Sequence, residues 1–290
     1  MPELPEVETV ASGVNRRVRG QRIEGVWFGS HREPFRTPAS RQARELEGRV
    51  LLSVHRTGKH IVCELSAKGA PIPHRSQKMD MQSEAGEAAA QWIVHLGMTG
   101  RLVVTDPENP VATHTHARLS LSGGKELRFV DPRRFGCLEL RDLQREEPFQ
   151  AAGAEPLTIG SGGFAALFRG RRVAIKAALL NQSLLTGVGN IYADESLFRA
   201  GIRPRRASGR LSAAELERLR EALQKVLRHA IQLGGSSVSD YVDADGVKGF
   251  FQLEHCVYRR TGEPCRVCKT PIRRILVVGR GTHYCPHCQH

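Results

Sequence analysis

Apolar residues recur at helical spacing directly after Pro5, with Val7, Val10, Val14 and Val18 on one face. This predicts an opening helix that ends with Arg16, Arg17 and Arg19 in its last turn and stops at Gly20. From Arg22 to Leu140 the period changes. Short runs around Ile23 to Phe28, Val50 to Arg56, His60 to Leu65, Trp92 to Leu96, Leu102 to Thr105, Ala117 to Leu121, Leu127 to Val130 and Cys137 to Leu140 are separated by Gly, Pro or Asp. Eight such strands predict a sandwich or flattened barrel. Between Lys68 and Gln91 no period survives, and this stretch reads as a flexible insertion in a hairpin.

Pro148 to Pro156 reads as a linker, after which the helical period returns. Two short helices, Ile175 to Leu185 and Ile191 to Arg199, are expected on either side of the joint Thr186-Gly187-Val188-Gly189-Asn190. Such a joint can aim backbone N–H groups at a phosphate, or can be an ordinary turn. The strongest helix follows: Ser212 and Glu215 form a capping box, Leu216, Leu219, Leu223, Val226, Leu227, Ala230 and Ile231 supply its apolar face, and Gly234-Gly235 ends it. Residues 236 to 255 read as a polar loop with Asp243-Ala244-Asp245-Gly246 at its tip. From Pro264 onward, two cysteine knuckles flank a strand pair whose turn holds Gly279-Arg280-Gly281. Arginine between glycines suits a phosphate, although an exposed hairpin turn would read the same way.

The chain has 290 residues, enough for two domains with separate cores, and 40% hydrophobic content fits a soluble globular class. There is no long apolar run and no charged segment followed by a hydrophobic one at the start, so no membrane span or signal peptide is expected, and a reducing cytoplasm is. The net charge of +13, spread along the whole chain, points to a polyanionic partner, nucleic acid before all others. Seven cysteines divide unequally. Cys63, Cys137 and Cys256 stand alone and read as small buried apolar residues. Cys265, Cys268, Cys285 and Cys288 form two Cys-x-x-Cys pairs, the spacing of one four-thiolate structural zinc site.

The first eight residues, Met1-Pro2-Glu3-Leu4-Pro5-Glu6-Val7-Glu8, carry candidate chemistry. Initiator methionine is normally trimmed before a small residue such as Pro2, which would leave a secondary amine at the terminus. An α-amino group titrates near ~8 against ~10.4 for lysine, so roughly a tenth of it is neutral at pH 7. Captured at a sugar C1′, such an amine becomes a permanently positive iminium that acidifies the neighbouring C–H. Glu3 is placed to protonate the departing sugar oxygen, while Glu6 and Glu8 put negative charge at a helix start. Pro2 to Pro5 read equally well as a helix entry, since proline is common in a first helical turn.

Five motifs in order resemble one family. Pro2 to Thr9, His95-Leu96-Gly97-Met98, Asp131-Pro132-Arg133-Arg134-Phe135-Gly136, Gly187-Val188-Gly189-Asn190-Ile191-Tyr192 and the terminal four cysteines look like the bacterial formamidopyrimidine-DNA glycosylases nearly end to end. The resemblance implies a base glycosylase and abasic-site lyase acting on 8-oxoguanine and formamidopyrimidines in double-stranded DNA. It implies Pro2 as Schiff-base nucleophile, Glu3 as proton donor for sugar opening, Lys59 as proton donor in β-elimination, and Arg280 as the phosphate holder that assists δ-elimination. His95, His114, Arg171 and Asn190 would contact DNA; without the family, His95 and His114 would read as packed histidines. Met98, Arg133 and Phe135 would fill the void left by the extruded base, where periodicity alone would make Met98 and Phe135 core residues. The loop from Asp243 to Phe251 would close over that base.

The expected architecture is therefore α+β: a catalytic N-terminal helix with an eight-stranded β-sandwich over residues 2–145, a helix-two-turn-helix DNA-binding domain over 146–255, and a zinc finger over 256–290, with DNA across the cleft of a monomer. The insertion before Gln91 is longer than the family hairpin, and Arg171 stands where relatives often carry lysine. Two other readings remain: an endonuclease VIII-like relative acting on oxidised pyrimidines, whose members usually have glycine where this chain has Leu4, and a zinc-finger DNA-binding protein without activity.

Overall fold

The computed structural model describes residues 1–30, 34–72, 87–237, 243–244 and 246–290. Most of the insertion expected before Gln91, and Asp245 at the tip of the expected closing loop, lie outside the described residues. The chain divides into two compact units: residues 1–2, 6–150 and 237–249 form the first, and residues 3–5, 151–236 and 250–290 the second.

Helix α1, Leu4–Val18, follows the pattern that announces it. Val7, Val10, Ala11, Val14 and Val18 are all fully buried in the core of the first unit. Eight strands follow, β1 Ile23–Phe28, β2 Leu51–Thr57, β3 His60–Leu65, β4 Ala90–His95, β5 Arg101–Thr105, β6 Thr115–Leu121, β7 Glu126–Val130 and β8 Cys137–Asp142. They pair antiparallel in two four-stranded sheets, ordered β1-β6-β7-β5 and β2-β3-β4-β8. The expected sandwich is present, its inner residues including Ile61, Cys63, Trp92, Val94, Leu119, Leu127, Phe129 and Leu138.

A short helix α2, Ala39–Leu46, was not legible in the sequence. Only Gln42 and Leu46 are buried in it, so the apolar stripe is one residue wide. Its task is polar: Gln42 donates to the Thr37 and Leu138 carbonyls and accepts the indole N–H of fully buried Trp92 at 2.9 Å. A buried tryptophan needs such an acceptor.

The second unit holds α3 Ser161–Phe168, α4 Ile175–Leu180, α5 Asn190–Ala200 and α6 Ala213–Gln232. The capping box on α6 forms with both reciprocal bonds. Helix α4 stops five residues earlier than its apolar run suggests, because Asn181 turns the chain and its side chain accepts from Ser183 N–H. Helix α3 is not announced by the sequence, because two glycines precede its single buried pair, Phe164 and Phe168. The unit ends in the hairpin β9 Arg273–Val277 and β10 Arg280–Tyr284. Its two-residue turn is Val278-Gly279, both at positive φ, so Arg280 begins β10 and is not in the turn itself. Of the single cysteines only Cys63 is fully buried; Cys137 and Cys256 are half-buried. No helix among the described residues is long and apolar enough to cross a membrane.

Burial lowers two histidines to about 4: His60 on β3, where His95 and Arg36 add repulsion, and His255, packed between Phe251 and Tyr258. Both are neutral when folded and take up protons near pH 6.5 when unfolded, so the unfolded chain binds more protons between these values. Stability should be full above pH 6.5 and fall as the pH drops towards 4. Urea midpoints across that range test this; a midpoint unchanged down to pH 4.5 would refute it.

Candidate active site and nucleic-acid interface

Pro2 and Glu3 are buried while Met1 is half exposed. Chain termini usually fray; here the Glu3 carboxylate is seated at the start of α5, accepting from Ile191 N–H at 3.1 Å and Tyr192 N–H at 3.4 Å. These are orphan donors of the first helical turn, and α5 has no side-chain cap of its own at Gly189. The joint is shaped around this contact. A Cβ on Gly189 would lie 2.2 Å from the Glu3 carboxyl carbon, and one on Gly187, at φ +83°, would press on Leu4, whose N–H donates to the Gly187 carbonyl. The Gly187 N–H donates to the Gln182 side chain. The joint's glycines therefore admit the amino-terminal segment, and the donors expected to aim at a phosphate are in large part directed at protein groups.

Asn190, the first residue of α5, donates through Nδ2 to the Gly281 carbonyl at 3.0 Å, and its Oδ1 is buried with no hydrogen-bond partner among the described residues. It thus lies beside exposed Arg280. Arg171 stands apart beyond the end of α3, its guanidinium folded back on the Leu167 carbonyl.

In the first unit Lys59 is buried in the two-residue turn joining β2 to β3, with Gly58 at φ +62°. Arg56 ties this turn to α1, donating to the Glu8 carboxylate at 2.9 Å and to the Gly58 carbonyl at 3.2 Å. Glu8 is thus a strut for the lysine turn as well as a charge near a helix start. His60 pairs with His95 across β3 and β4, their rings 4.8 Å apart. Burial, together with the charges of Lys59 and Arg36, lowers His95. A cavity of about 230 Å³ opens here, lined by Arg36, His60, His95, Phe135, Cys137 and Glu139 among others.

Met98 and Phe135 are 41% and 57% exposed, so neither is a core residue. Gly97, at φ +61°, packs on the Phe135–Gly136 backbone, where a Cβ would come within 2.4 Å. Arg133 lies over the Phe135 ring at 4.6 Å. Beneath these side chains, fully buried Asp131 accepts from Thr99 Oγ1, Arg133 N–H and Gly136 N–H. The structure therefore brings Met98, Arg133 and Phe135 together on one rigid, exposed knob. His114, at φ +68°, lines a separate cavity of about 480 Å³ with Trp27, His116 and Arg134.

The four knuckle cysteines converge, all sulfurs lying within 4.8 Å of one another. Bonds of ~2.3 Å to a tetrahedral zinc place sulfurs roughly 3.8 Å apart, which this cluster fits. Backbone N–H groups of Val267 and Cys288 point at Cys265 and Cys285 sulfurs. Four thiolates leave no open position, so the zinc is structural.

Three buried groups escaped sequence reasoning. Lys176, Asp194 and Glu195 are all fully buried. Glu195 accepts from the N–H groups of Cys256, Val257 and Tyr258, tying α5 to the start of the finger. Asp194 pairs with Lys176 at 2.6 Å. Charged residues on a helical pattern read as solvated; the one available signal is the apolar residues on both sides, Ile191 to Ala193 and Leu197-Phe198 around Asp194 and Glu195, and Val173 to Ile175 and Ala177 to Leu180 around Lys176.

Three family descriptions match in order: the formamidopyrimidine-DNA glycosylase N-terminal domain over residues 1–138, its H2TH domain over 153–242, and the zinc finger found in FPG and IleRS over 262–290. The formamidopyrimidine-DNA glycosylase of Solibacter usitatus is 44% identical across all of this chain and 99% of its own, and that of Cupriavidus pinatubonensis is 42% identical across the whole of both. Among solved structures, a mutant Lactococcus lactis Fpg in complex with a Fapy-dG containing DNA superposes with a TM-score of 0.85, at 32% identity over all of both chains. A Lactococcus lactis Fpg complex with an abasic site containing DNA also gives 0.85, at 32% identity over 99% of each. Full-length identity of this order, with the ordered domains and the four-cysteine cluster, means that the chain belongs to the formamidopyrimidine-DNA glycosylase family, DNA repair glycosylases that are also abasic-site lyases.

Proposed function

We propose that this DNA repair glycosylase and lyase excises oxidised purines, 8-oxoguanine and formamidopyrimidines, from duplex DNA through the amine of Pro2. The observation that carries the reading is the immobilised amino terminus, with Pro2 buried and Glu3 held on α5. Trimming of Met1 frees the Pro2 nitrogen. That nitrogen attacks C1′, the glycosidic bond breaks, and the base leaves with a proton. Glu3 protonates the ring oxygen as the C1′–O4′ bond opens, giving an iminium. Loss of a C2′ proton then expels the 3′ phosphate, with Lys59 as the proton donor, and loss of a further proton expels the 5′ phosphate, held by Arg280. Water releases the sugar fragment from Pro2.

His95, His114, Arg171 and Asn190 contact the DNA in this reading. Met98, Arg133 and Phe135 occupy the hole left by the extruded base, for which their exposure suits them. The segments 2–145, 146–255 and 256–290 serve as catalytic sandwich, helical DNA-binding domain and zinc finger of a cytoplasmic monomer. One related structure contains a DNA with an oxidised pyrimidine, so lesion choice needs direct comparison.

Borohydride added during reaction with 8-oxoguanine DNA should trap an adduct whose peptide map ends at Pro2. No adduct, an adduct on Lys59, or faster release of thymine glycol than of 8-oxoguanine would each overturn part of the reading. Gly189→Ala should displace the Glu3 carboxyl, the mobile end of a side chain, and leave the fold intact. Base excision should drop by about tenfold or more, incision of a preformed abasic site by less, since that sugar already opens readily. Equal losses would remove Glu3 from ring opening. Chelating zinc should weaken DNA binding while the sandwich keeps its unfolding transition, because the finger packs in a cluster of Phe198 from α5, Val257, Ile272 and the cysteines that is separate from the sandwich core. Loss of both together would contradict a structural role confined to the finger.

A further inference from the structure

Strand β10 is the edge of a two-stranded sheet, and such a hairpin holds its shape poorly in isolation. Its inner side pairs with β9; its outer side is hydrogen-bonded by side chains. The Gly281 carbonyl accepts from Lys176 Nζ at 3.1 Å and from Asn190 Nδ2 at 3.0 Å. Thr282 Oγ1 accepts from Lys176 Nζ at 2.8 Å, and the same hydroxyl donates back to the Arg280 carbonyl at 3.0 Å. The His283 N–H donates to Asp194 Oδ2 at 2.8 Å, and its ring Nδ1 lies 3.2 Å from the same oxygen. Asp194 Oδ1 in turn pairs with Lys176 Nζ at 2.6 Å.

Lys176, Asp194 and Thr282 are 0% exposed. Desolvation of two opposite charges usually cancels much of their attraction, so a buried pair is a poor way to add stability. It is a good way to fix geometry, because an ammonium and a carboxylate in a dry site hold several donors and acceptors at set angles. What they fix is the backbone at residues 281 to 283, directly following Arg280, whose own side chain is exposed. Asn190 and Asp194 stand four apart on α5 and so share one of its faces, with Lys176 reaching in from the first turn of α4.

We propose that Asp194, acting through Lys176 and His283, is a positioning residue for Arg280: it sets the backbone of β10 so that the guanidinium meets the phosphate of the second elimination. This rests on the proposed role of Arg280. Asp194→Asn keeps the volume and an acceptor for His283 but removes the charge that orients Lys176. On duplex DNA with a preformed abasic site, two products are read: the borohydride-trapped Pro2 adduct, and the share of cut ends that have lost the sugar through both eliminations. Trapping should stay near the parental level while the doubly eliminated share falls by about tenfold, the scale of a small misplacement of a reacting group. Arg280→Ala should lower the doubly eliminated share of cut ends at least as far, and its trapping is read separately because Arg280 itself holds a phosphate.

Should Asp194→Asn leave a buried ammonium that unfolds the chain, Lys176→Met combined with Asp194→Asn removes both charges and is the variant to read. Its melting temperature should approach the parental value while the product ratio stays shifted, which a merely stabilising pair would not produce. A parental ratio in a folded Asp194 variant, with Arg280→Ala shifted, overturns the positioning role alone. A parental ratio in Arg280→Ala overturns the Arg280 reading and this inference together. Equal loss of trapping and of the second elimination in Asp194→Asn also overturns it, because it marks general damage.

Discussion

The constraint on which the site depends is the bond between the Glu3 carboxylate and the first-turn N–H groups of α5. Fixing one backbone residue costs about 1–2 kcal/mol, and the segment from Pro2 to Pro5 would be expected to fray. Two charge-assisted hydrogen bonds return roughly 1.5–3 kcal/mol each, and complete burial of Leu4 adds a similar amount. The sum is enough to hold the terminus in place but not by much. With so small a margin the contact is sensitive to Gly187 and Gly189, where a methyl group would take the space that Leu4 or the Glu3 carboxyl uses.

The same device recurs. Asp131 gathers Thr99, Arg133 N–H and Gly136 N–H; Glu195 gathers three consecutive N–H groups; Asp194 gathers His283 and Lys176. In a chain of net charge +13, Asp131 and Asp194 hold segments whose exposed side chains are basic or apolar, Arg133, Arg134 and Phe135 in one and Arg280 in the other. Repulsion among surface arginines would otherwise loosen such loops. Placing the negative charge inside, on backbone donors, stiffens each loop while leaving the arginines outside it available to an external anion.

The strands, the capping box of α6, the face of α1 and the four-cysteine cluster were all legible, because each rests on a local pattern: alternation, a cap with its partner three residues on, or paired knuckles. Helices α2 and α3 were not, since a buried stripe of two residues does not stand out, and the pattern overstates α4 because apolar residues continue past Asn181. The chemistry proposed for Pro2 and Glu3 could be argued from residue type alone. The partners that seat Glu3 could not, because Ile191 and Tyr192 contribute backbone, which no side-chain pattern announces. Lys176 and Asp194 stayed hidden for the opposite reason, as charges on short helices that ordinarily face water.

The exposed knob shows how rigidity and exposure combine. A lone apolar side chain in water is unremarkable, but Met98 and Phe135 sit on backbones that cannot swing aside: Gly97 is locked against the Phe135–Gly136 peptide, and Asp131 holds both ends of the turn. Arg133 over the Phe135 ring fixes that ring further without burying it. Opening a base step costs a few kcal/mol, and a wedge that must first be ordered would add its own entropy to that cost. A wedge ordered in advance does not. In the proposed wedge role of Met98 and Phe135, the buried aspartate would keep that cost low without touching the DNA, because the knob it holds is already ordered.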